Sequence, residues 1–396
     1  MENVDGNAGA CAEPQDADLA GLRGEIDGID DRMADLFVRR MELAGEVAAC
    51  KRRTGRALRD PAREREIVSR VTGRAPAWME TPLRLLFGSL FETSRALQRA
   101  SVCRAGAVSQ AIAAARARAH GPFPARATVA CQGAEGSYSQ QAAVKMFPVA
   151  AIMFFNTFDD VFSAVEKGMC PYGVLPIENS SAGSVAAVYD LMVRHRFSIV
   201  RAARQKIDHV LLGAPGAALE GIREVSSHPH ALAQCGAFLS AHPGWTVSPA
   251  SNTAAAARAL AASGRRDLAV LASRECAELY GLDVLAGGVA DAASYTRFIC
   301  ISKEAEIRPE ARKMCIMMTL PHRPGALYSV MAKFAAIDVN LTKLESRPIP
   351  GMDFEFRFTF EFEAAADDPR VAALLDEFAS DPQVERFSFL GAYAEV

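Results

Sequence analysis

A cysteine framework is missing from these 396 residues: the nine cysteines are odd in number, scattered, and contain no CxxC pair. That excludes a disulfide scaffold and a zinc ribbon, and it predicts a reducing compartment. Histidine is scarce. Of seven, only His228 and His230 form a close pair, with no third ligand nearby in sequence, so no metal is expected. No stretch reaches the ~18 uninterrupted apolar residues of a membrane helix. The first residues are acidic and polar, not basic and then apolar, so no secretion signal is expected either. An excess of one charge is also absent. With 44 basic and 47 acidic residues the net charge is -3, which gives no whole-chain attraction to nucleic acid or an anionic membrane. Any anion site must be local, and the expected setting is the cytosol. The length itself exceeds one core and predicts two or three domains.

What the chain does contain is organised around Gly173-Val174-Leu175-Pro176-Ile177-Glu178-Asn179-Ser180 and the following Ser181 to Ser184. An apolar run that reads as a buried strand turns abruptly polar before the helical pattern Val185, Val188, Leu191, Met192. In an open α/β sheet such a loop lies at the carboxyl edge, where ligands bind and helix N–H groups attract anions. Glu178 and Asn179 are thus placed like site residues; the alternative is that Asn179 and Ser180 only cap the helix.

Residues 16–104 read as helical. Leu22, Ile26, Ile29, Met33, Phe37, Ala44 and Val47 recur at spacings of three and four. The helix they imply runs to Arg53, too long for a compact single domain, and predicts pairing with a second subunit. Arg40 and Lys51 interrupt its apolar stripe, while Arg23 lies about a quarter-turn away from Arg40. A second helix opens with Asp60 as N-cap and Pro61, and carries Arg63 and Glu64. A third, Leu83, Leu86, Leu90, Ser94, Leu97, places Ser94 and Gln98 one turn apart. Inward-facing cations need an anionic partner, and Glu64 alone cannot balance Arg40, Lys51 and Arg63; a small dianion would.

This pattern resembles the all-helical chorismate mutases over the whole domain. The resemblance implies that Arg40 and the partner chain's copy of Arg23 hold the two carboxylates of chorismate. Lys51 and Gln98 would meet the ether oxygen, and Asp60, Arg63, Glu64 and Ser94 would complete the lining. Such a rearrangement needs no nucleophile, only donors aimed at separating charge. The alternative is a helical dimerisation module with snorkelling basic residues. The stretch from Ala105 to His120 continues as helix, and Gly121-Pro122-Phe123-Pro124 marks a domain boundary.

Residues 126–304 alternate strands and helices and predict two α/β lobes with a cleft. Strands are expected at Thr128 to Cys131, Ile152 to Phe155, Tyr172 to Ile177, Phe197 to Val200, Val210 to Leu212, Glu224 to Ser227, Leu268 to Leu271 and Phe298 to Ile301. The glycine-rich turn Gly133 to Ser139 precedes a helix but lacks nucleotide-loop spacing. Ser227-His228-Pro229 precedes a helix carrying Gln234, and Thr296-Arg297-Phe298 opens a strand. Alone, Ser227 reads as a cap and Arg297 as a surface charge. Together, and in this order, these motifs resemble the prephenate dehydratase family, although Ala134 stands where the family commonly has proline. The resemblance implies a two-lobed fold like a periplasmic binding protein. It makes Thr296 the donor to a leaving hydroxyl and Arg297, with loop N–H groups, the carboxylate anchor. Glu178, Asn179, Ser180, Ser227, His228 and Gln234 would position the substrate.

Residues 312–396 show the order βαββαβ of a ferredoxin-like α+β domain. Phe354, Phe356, Phe358, Phe360 and Phe362 alternate with polar residues, which predicts one buried and one wet face. Gly325-Ala326-Leu327 and Glu345-Ser346-Arg347-Pro348 resemble the two motifs of phenylalanine-binding ACT domains; the alternative is a folded tail without a ligand. The whole chain therefore resembles the bifunctional chorismate mutase/prephenate dehydratases. Implied are chorismate and prephenate as substrates, feedback by L-phenylalanine, a homodimer, no cofactor, and neither nucleic acid nor membrane as partner. Two rivals are a dehydratase whose helical part only dimerises, and a non-catalytic sensor.

Overall fold

The computed structural model describes residues 16–54, 60–100, 106–119, 121–349, 351–352, 355–381 and 384–396. The chain forms two compact units that divide in sequence between Arg104 and Ala105. No described helix is long and apolar enough to cross a membrane.

The first unit consists of the helices Asp16–Arg53, Pro61–Thr72 and Glu80–Ala100, with a 3-10 turn at Ala77–Met79. The 38-residue first helix is about 57 Å long at ~1.5 Å per residue. The second helix starts as its sequence predicts: Asp60 accepts a hydrogen bond from the Arg63 N–H at 3.1 Å, and Pro61 needs no partner in the first turn. Only the carboxyl half of the long helix is covered, around Arg40, Ala44 and the fully buried Ala48. Upstream, Leu22 and Ile26 are 54% and 55% exposed, so the predicted apolar stripe lies bare within one chain.

The second unit is built on two sheets. The larger has ten strands in the order Asn340–Pro348, Phe356–Glu363, Lys313–Leu320, Glu385–Glu395, Ser198–Ile207, Ser294–Ser302, Tyr172–Asn179, Arg126–Gln132 and Val149–Phe155, with Gly183–Ser184 paired beside Tyr172–Asn179. The smaller has five: Asp283–Ala286, His209–Gly213, Leu268–Ser273, Glu224–Ser227 and Thr246–Pro249. Every strand expected in the middle of the chain is present. Three are additions: the two-residue Gly183–Ser184, and Thr246–Pro249 and Asp283–Ala286, each four residues long and without an apolar alternation to announce it.

The carboxyl-terminal segment has the βαββαβ order, with helices Ala326–Ala335 and Pro369–Ser380. It is not a detached bead. Its last strand runs on to pair in parallel with Ser198–Ile207, Ala394 opposite Arg201 and Glu395 opposite Ala202. Gly391 makes this crossing possible: its φ is +142°, and a Cβ there would collide with the Ile199 carbonyl. One apolar core then spans both parts, with Leu175, Ile177, Val188 and Ile299 packed with Cys315, Met317, Leu390 and Tyr393. The phenylalanine strand departs from expectation for the same reason. Phe360 and Phe362 do pack on Phe334, but Thr359 and Glu361, on the face expected to be wet, are buried. Phe354 lies outside the described residues.

The helix Ala107–Arg118, which the sequence reading joins to the amino-terminal helices, belongs to the second unit. The Asp376 carboxylate accepts from the N–H groups of Gly106, Val108 and Ser109 at 2.8, 2.9 and 3.1 Å, a cap supplied from 270 residues away.

Candidate active sites

In the first unit, Arg40, Ser94 and Gln98 come together. The Arg40 guanidinium donates to the Leu90 carbonyl at 3.3 Å and lies over the Phe91 ring, 5.5 Å from its centroid. Burial lowers its pKa from the ordinary arginine value. Gln98 donates to the Ala44 carbonyl at 3.1 Å and to Ser94 Oγ at 3.4 Å. Ser94 and Gln98 are both buried, and Lys51 is partly so on the neighbouring helix. Glu64 is paired with Arg95, which also reaches Glu92; sequence reasoning passed over Arg95 because its position resembles an ordinary charge between Ser94 and Gln98. Two predicted lining residues point elsewhere. Arg63 is exposed and pairs with Glu66 at 2.7 Å, and the Asp60 side chain serves as the helix cap. Arg23 precedes Arg40 by 17 residues, ~25 Å along a straight helix, so one chain cannot bring both to one small ligand.

The dehydratase-like motifs meet in a cleft between the two sheets, with a cavity of about 650 Å³. Thr296, Asn179, Gln234 and His228 line it, as do Gly133, Ser137, Tyr138 and Ser139 of the glycine-rich turn. Thr296 is 8% exposed and sits opposite Asn179 in the sheet, next to a register shift between Arg297 and Phe298. Asn179 is fixed unambiguously. Its Oδ1 accepts from the N–H groups of Ser181 and Ala182, both at 2.9 Å, so the amide nitrogen must face the other way. That nitrogen donates to Thr296 Oγ1 at 2.9 Å and to Ser294 Oγ at 3.0 Å. With its oxygen already accepting from Asn179, the Thr296 hydroxyl has its own hydrogen left to donate into the cavity.

A chain of hydrogen bonds supports this pair. Gln234 Nε2 donates to Ser294 Oγ at 3.3 Å, and Gln234 Oε1 meets His209 Nε2 at 3.2 Å. His209 Nδ1 lies 3.3 Å from the Tyr138 hydroxyl, which donates to the Asp208 carbonyl at 2.9 Å. Burial lowers the His209 pKa, against smaller opposing contributions from the Gln234 hydrogen bond and Asp208. In a neutral ring with Nε2–H donating to Gln234 Oε1, Nδ1 is an acceptor, and the single Tyr138 hydroxyl hydrogen is shared between it and the Asp208 carbonyl. Ser294 and His209 are absent from the sequence reading, since a lone serine and a lone histidine at strand ends carry no signal.

No lysine or arginine stands among the described residues lining the cavity. Two helices, Tyr138–Met146, capped by Ser137, and Thr253–Ser263, capped by Asn252, begin at its wall, where helix N-termini favour an anion. A carboxylate could be held there. Among the described residues no three His, Cys, Asp or Glu side chains cluster as metal ligands would.

Four predicted positions leave the cleft. Glu178, Ser180 and Arg297 line a second, polar cavity of about 390 Å³, which Asn179 and Gly183 of the cleft border as well. Arg297 is the clearest departure from expectation. Successive strand residues face opposite ways, so the residue after a cleft-facing Thr296 must turn from the cleft; Arg297 instead pairs with Glu361 at 2.5 Å and Glu178 at 2.9 Å. Ser227 is wholly buried and donates to the Leu271 carbonyl at 2.6 Å, so it ties two strands together. In the carboxyl-terminal segment, Gly325 (φ +80°) precedes the helix that carries Ala326 and Leu327. Glu345 accepts from Ser184 Oγ, Arg347 donates to the Ala186 carbonyl at 2.8 Å, and Ser346 is exposed between them.

Comparison with known proteins covers both units. Residues 22–99 match the family model for chorismate mutase type II, and residues 129–306 match that for prephenate dehydratase. The chain is 31% identical over 387 residues to a bifunctional chorismate mutase/prephenate dehydratase of Enterobacter agglomerans, spanning 96% of each chain. It is 38% identical over 272 residues to the chloroplastic arogenate dehydratase/prephenate dehydratase 1 of Arabidopsis thaliana, covering 64% of this chain and 69% of that one. Among solved structures, prephenate dehydratase from Arthrobacter aurescens in complex with L-Phe superposes with a TM-score of 0.61 at 31% identity, over 67% of this chain and 90% of that chain. A protein described as the quorum-quenching acylase GqqA gives 0.61 at 31% identity, over 68% and 98%.

Proposed function

Because this chain belongs to the bifunctional chorismate mutase/prephenate dehydratase family, we propose that it rearranges chorismate to prephenate in its helical unit and converts prephenate to phenylpyruvate in the cleft. The observation that carries the reading is the Thr296 hydroxyl, oriented by Asn179 so that its hydrogen is available to the cavity.

In the first reaction the ether C–O bond breaks as a C–C bond forms, with no net proton change. Positioned cations and donors suffice, each ~1.4 kcal/mol of barrier being worth tenfold. Arg40, Lys51 and Gln98 would supply them, with Glu64 and Ser94 beside them. Arg23, too distant within one chain, would serve the site of a second copy, and the bare stripe around Leu22 and Ile26 supports a homodimer through the long helix.

In the second reaction the ring carboxylate leaves as carbon dioxide. The electron pair of that C–C bond enters the ring, the ring C–O bond breaks, and the departing hydroxide takes one proton to become water. Aromatisation supplies the driving force, so the enzyme must chiefly help the hydroxyl leave. Thr296 is a poor acid, and its role would be a hydrogen bond that strengthens as charge grows on the leaving oxygen. The carboxylates would rest on the helix N-termini at Ser137 and Asn252; the sequence reading assigned this task to Arg297 together with the loop N–H groups.

L-Phenylalanine would bind the carboxyl-terminal segment, which we read as an ACT domain with Gly325, Ala326, Leu327, Glu345, Ser346 and Arg347 at or near the effector. The continuous sheet and shared core give that segment a direct mechanical link to the cleft. The seven described cysteines are free thiols, in keeping with the cytoplasm. The test supplies chorismate alone to the purified protein and follows phenylpyruvate with and without L-phenylalanine. Formation that phenylalanine suppresses is the expected result; turnover of prephenate but not of chorismate would reduce the helical unit to a scaffold.

A further inference from the structure

On the dehydratase reading above, we propose that Arg297 is a positioning residue: clamped by Glu361 of the carboxyl-terminal segment, it fixes Thr296 and Asn179 from behind the sheet and transmits the state of that segment to the cleft.

The two strands that carry the cleft pair also carry another pair on their reverse face. Thr296 is opposite Asn179 and Arg297 is opposite Glu178. Arg297 is 11% exposed and bonds to both oxygens of Glu361, at 2.6 and 2.5 Å, and to Glu178 at 2.9 Å. Glu361 is itself 5% exposed and held by the Tyr393 hydroxyl at 2.9 Å and by Thr342 at 3.2 Å, both from the carboxyl-terminal segment. Burial alone would raise the Glu361 pKa, yet the Arg297 charge and hydrogen bonds, with Tyr393 and Lys313, hold it below the ordinary value.

The clamp has a further arm. Lys343 lies 3.2 Å from Glu178 and donates to Ser184 Oγ at 2.8 Å, and Ser184 lines the cleft. Both strands of the cleft pair are thereby gripped by one rigid sheet. A buried arginine so placed resists reorientation, because moving it away would leave the buried Glu361 carboxylate without its main counter-charge. Any shift of the strand Phe356–Glu363 therefore has to move Arg297, and with it the adjacent Thr296.

A positioning role and a carboxylate-anchor role differ in kinetics. An anchor contributes to ground-state binding and its loss raises KM; a residue that aims the donor contributes mainly in the transition state and its loss lowers kcat. The test compares Arg297→Lys, Glu361→Gln and the double variant in the full chain, with prephenate and with chorismate as separate substrates. Each single variant is expected to lower dehydratase kcat by about tenfold or more with KM changed by less than about threefold. The double variant should fall little further than the worse single one, since both break the same contact. Suppression by L-phenylalanine should weaken in Glu361→Gln, the milder change. Mutase turnover should stay within about twofold in all three, and a cooperative denaturant transition of the second unit reports that it is still folded. A tenfold rise in KM with kcat retained in Arg297→Lys, additive losses, or wild-type behaviour in Glu361→Gln would each overturn the proposal. Failure of the wild-type protein itself on prephenate would overturn the dehydratase reading instead.

Discussion

Thr296 and Arg297 are neighbours in the chain and face opposite sides of one strand. Thr296 faces the cleft and is held by Asn179 at 2.9 Å; Arg297 faces the carboxyl-terminal segment and is held by Glu361 at 2.5 Å. On the proposed reading, the hydroxyl donor and the contact to the carboxyl-terminal segment are separated by a single peptide unit.

Gly391 is where the carboxyl-terminal segment becomes part of the same sheet. Gly391→Ala should cost on the order of 3 kcal/mol or more, since its φ of +142° excludes a side chain and the Cβ meets backbone that cannot yield. Denaturant unfolding of the variant checks this. If the two parts share one core, dehydratase activity should decline along with stability.

His209 predicts a pH effect of definite sign. Burial holds its folded pKa below the unfolded value of about 6.5, so below that pH the unfolded chain binds the proton more readily. Stability should fall as pH drops through about 6.5 and level off above it. His209→Gln, which can still donate to Gln234, should flatten that part of the slope. Unfolding free energies at about pH 5.5 and about pH 7.5 for both proteins decide the point; an unchanged slope would remove His209 as its source.

Much of this was legible in the sequence, for identifiable reasons. The βαββαβ order and nearly all strands followed from apolar runs and turn residues, and Asn179, Gln234 and Thr296 were placed by motif order. The reversal of Arg297 was legible too: period-two alternation alone forbids Thr296 and Arg297 from sharing a face, but the triplet was taken as one unit. The junction of the sheet was not. It joins residues 394–395 to 201–202, and nothing local to either segment marks the partner.

The helical unit should be separable in function. Arg40→Ala removes a cation packed on Phe91 and should lower chorismate turnover by about 10²-fold or more while leaving prephenate dehydration near wild type. Assays on each substrate with the same preparation test this. Loss of both activities would mean that the variant has damaged the chain as a whole.

The most direct measurement is the turnover of prephenate and of chorismate by Thr296→Val, which keeps the shape of the side chain and removes its hydroxyl. With the donor gone, dehydration should fall by about 10²-fold or more and prephenate should accumulate from chorismate at the wild-type rate. Phenylpyruvate formed by the variant at the wild-type rate would contradict the account, because the cleft would then expel the hydroxyl without Thr296.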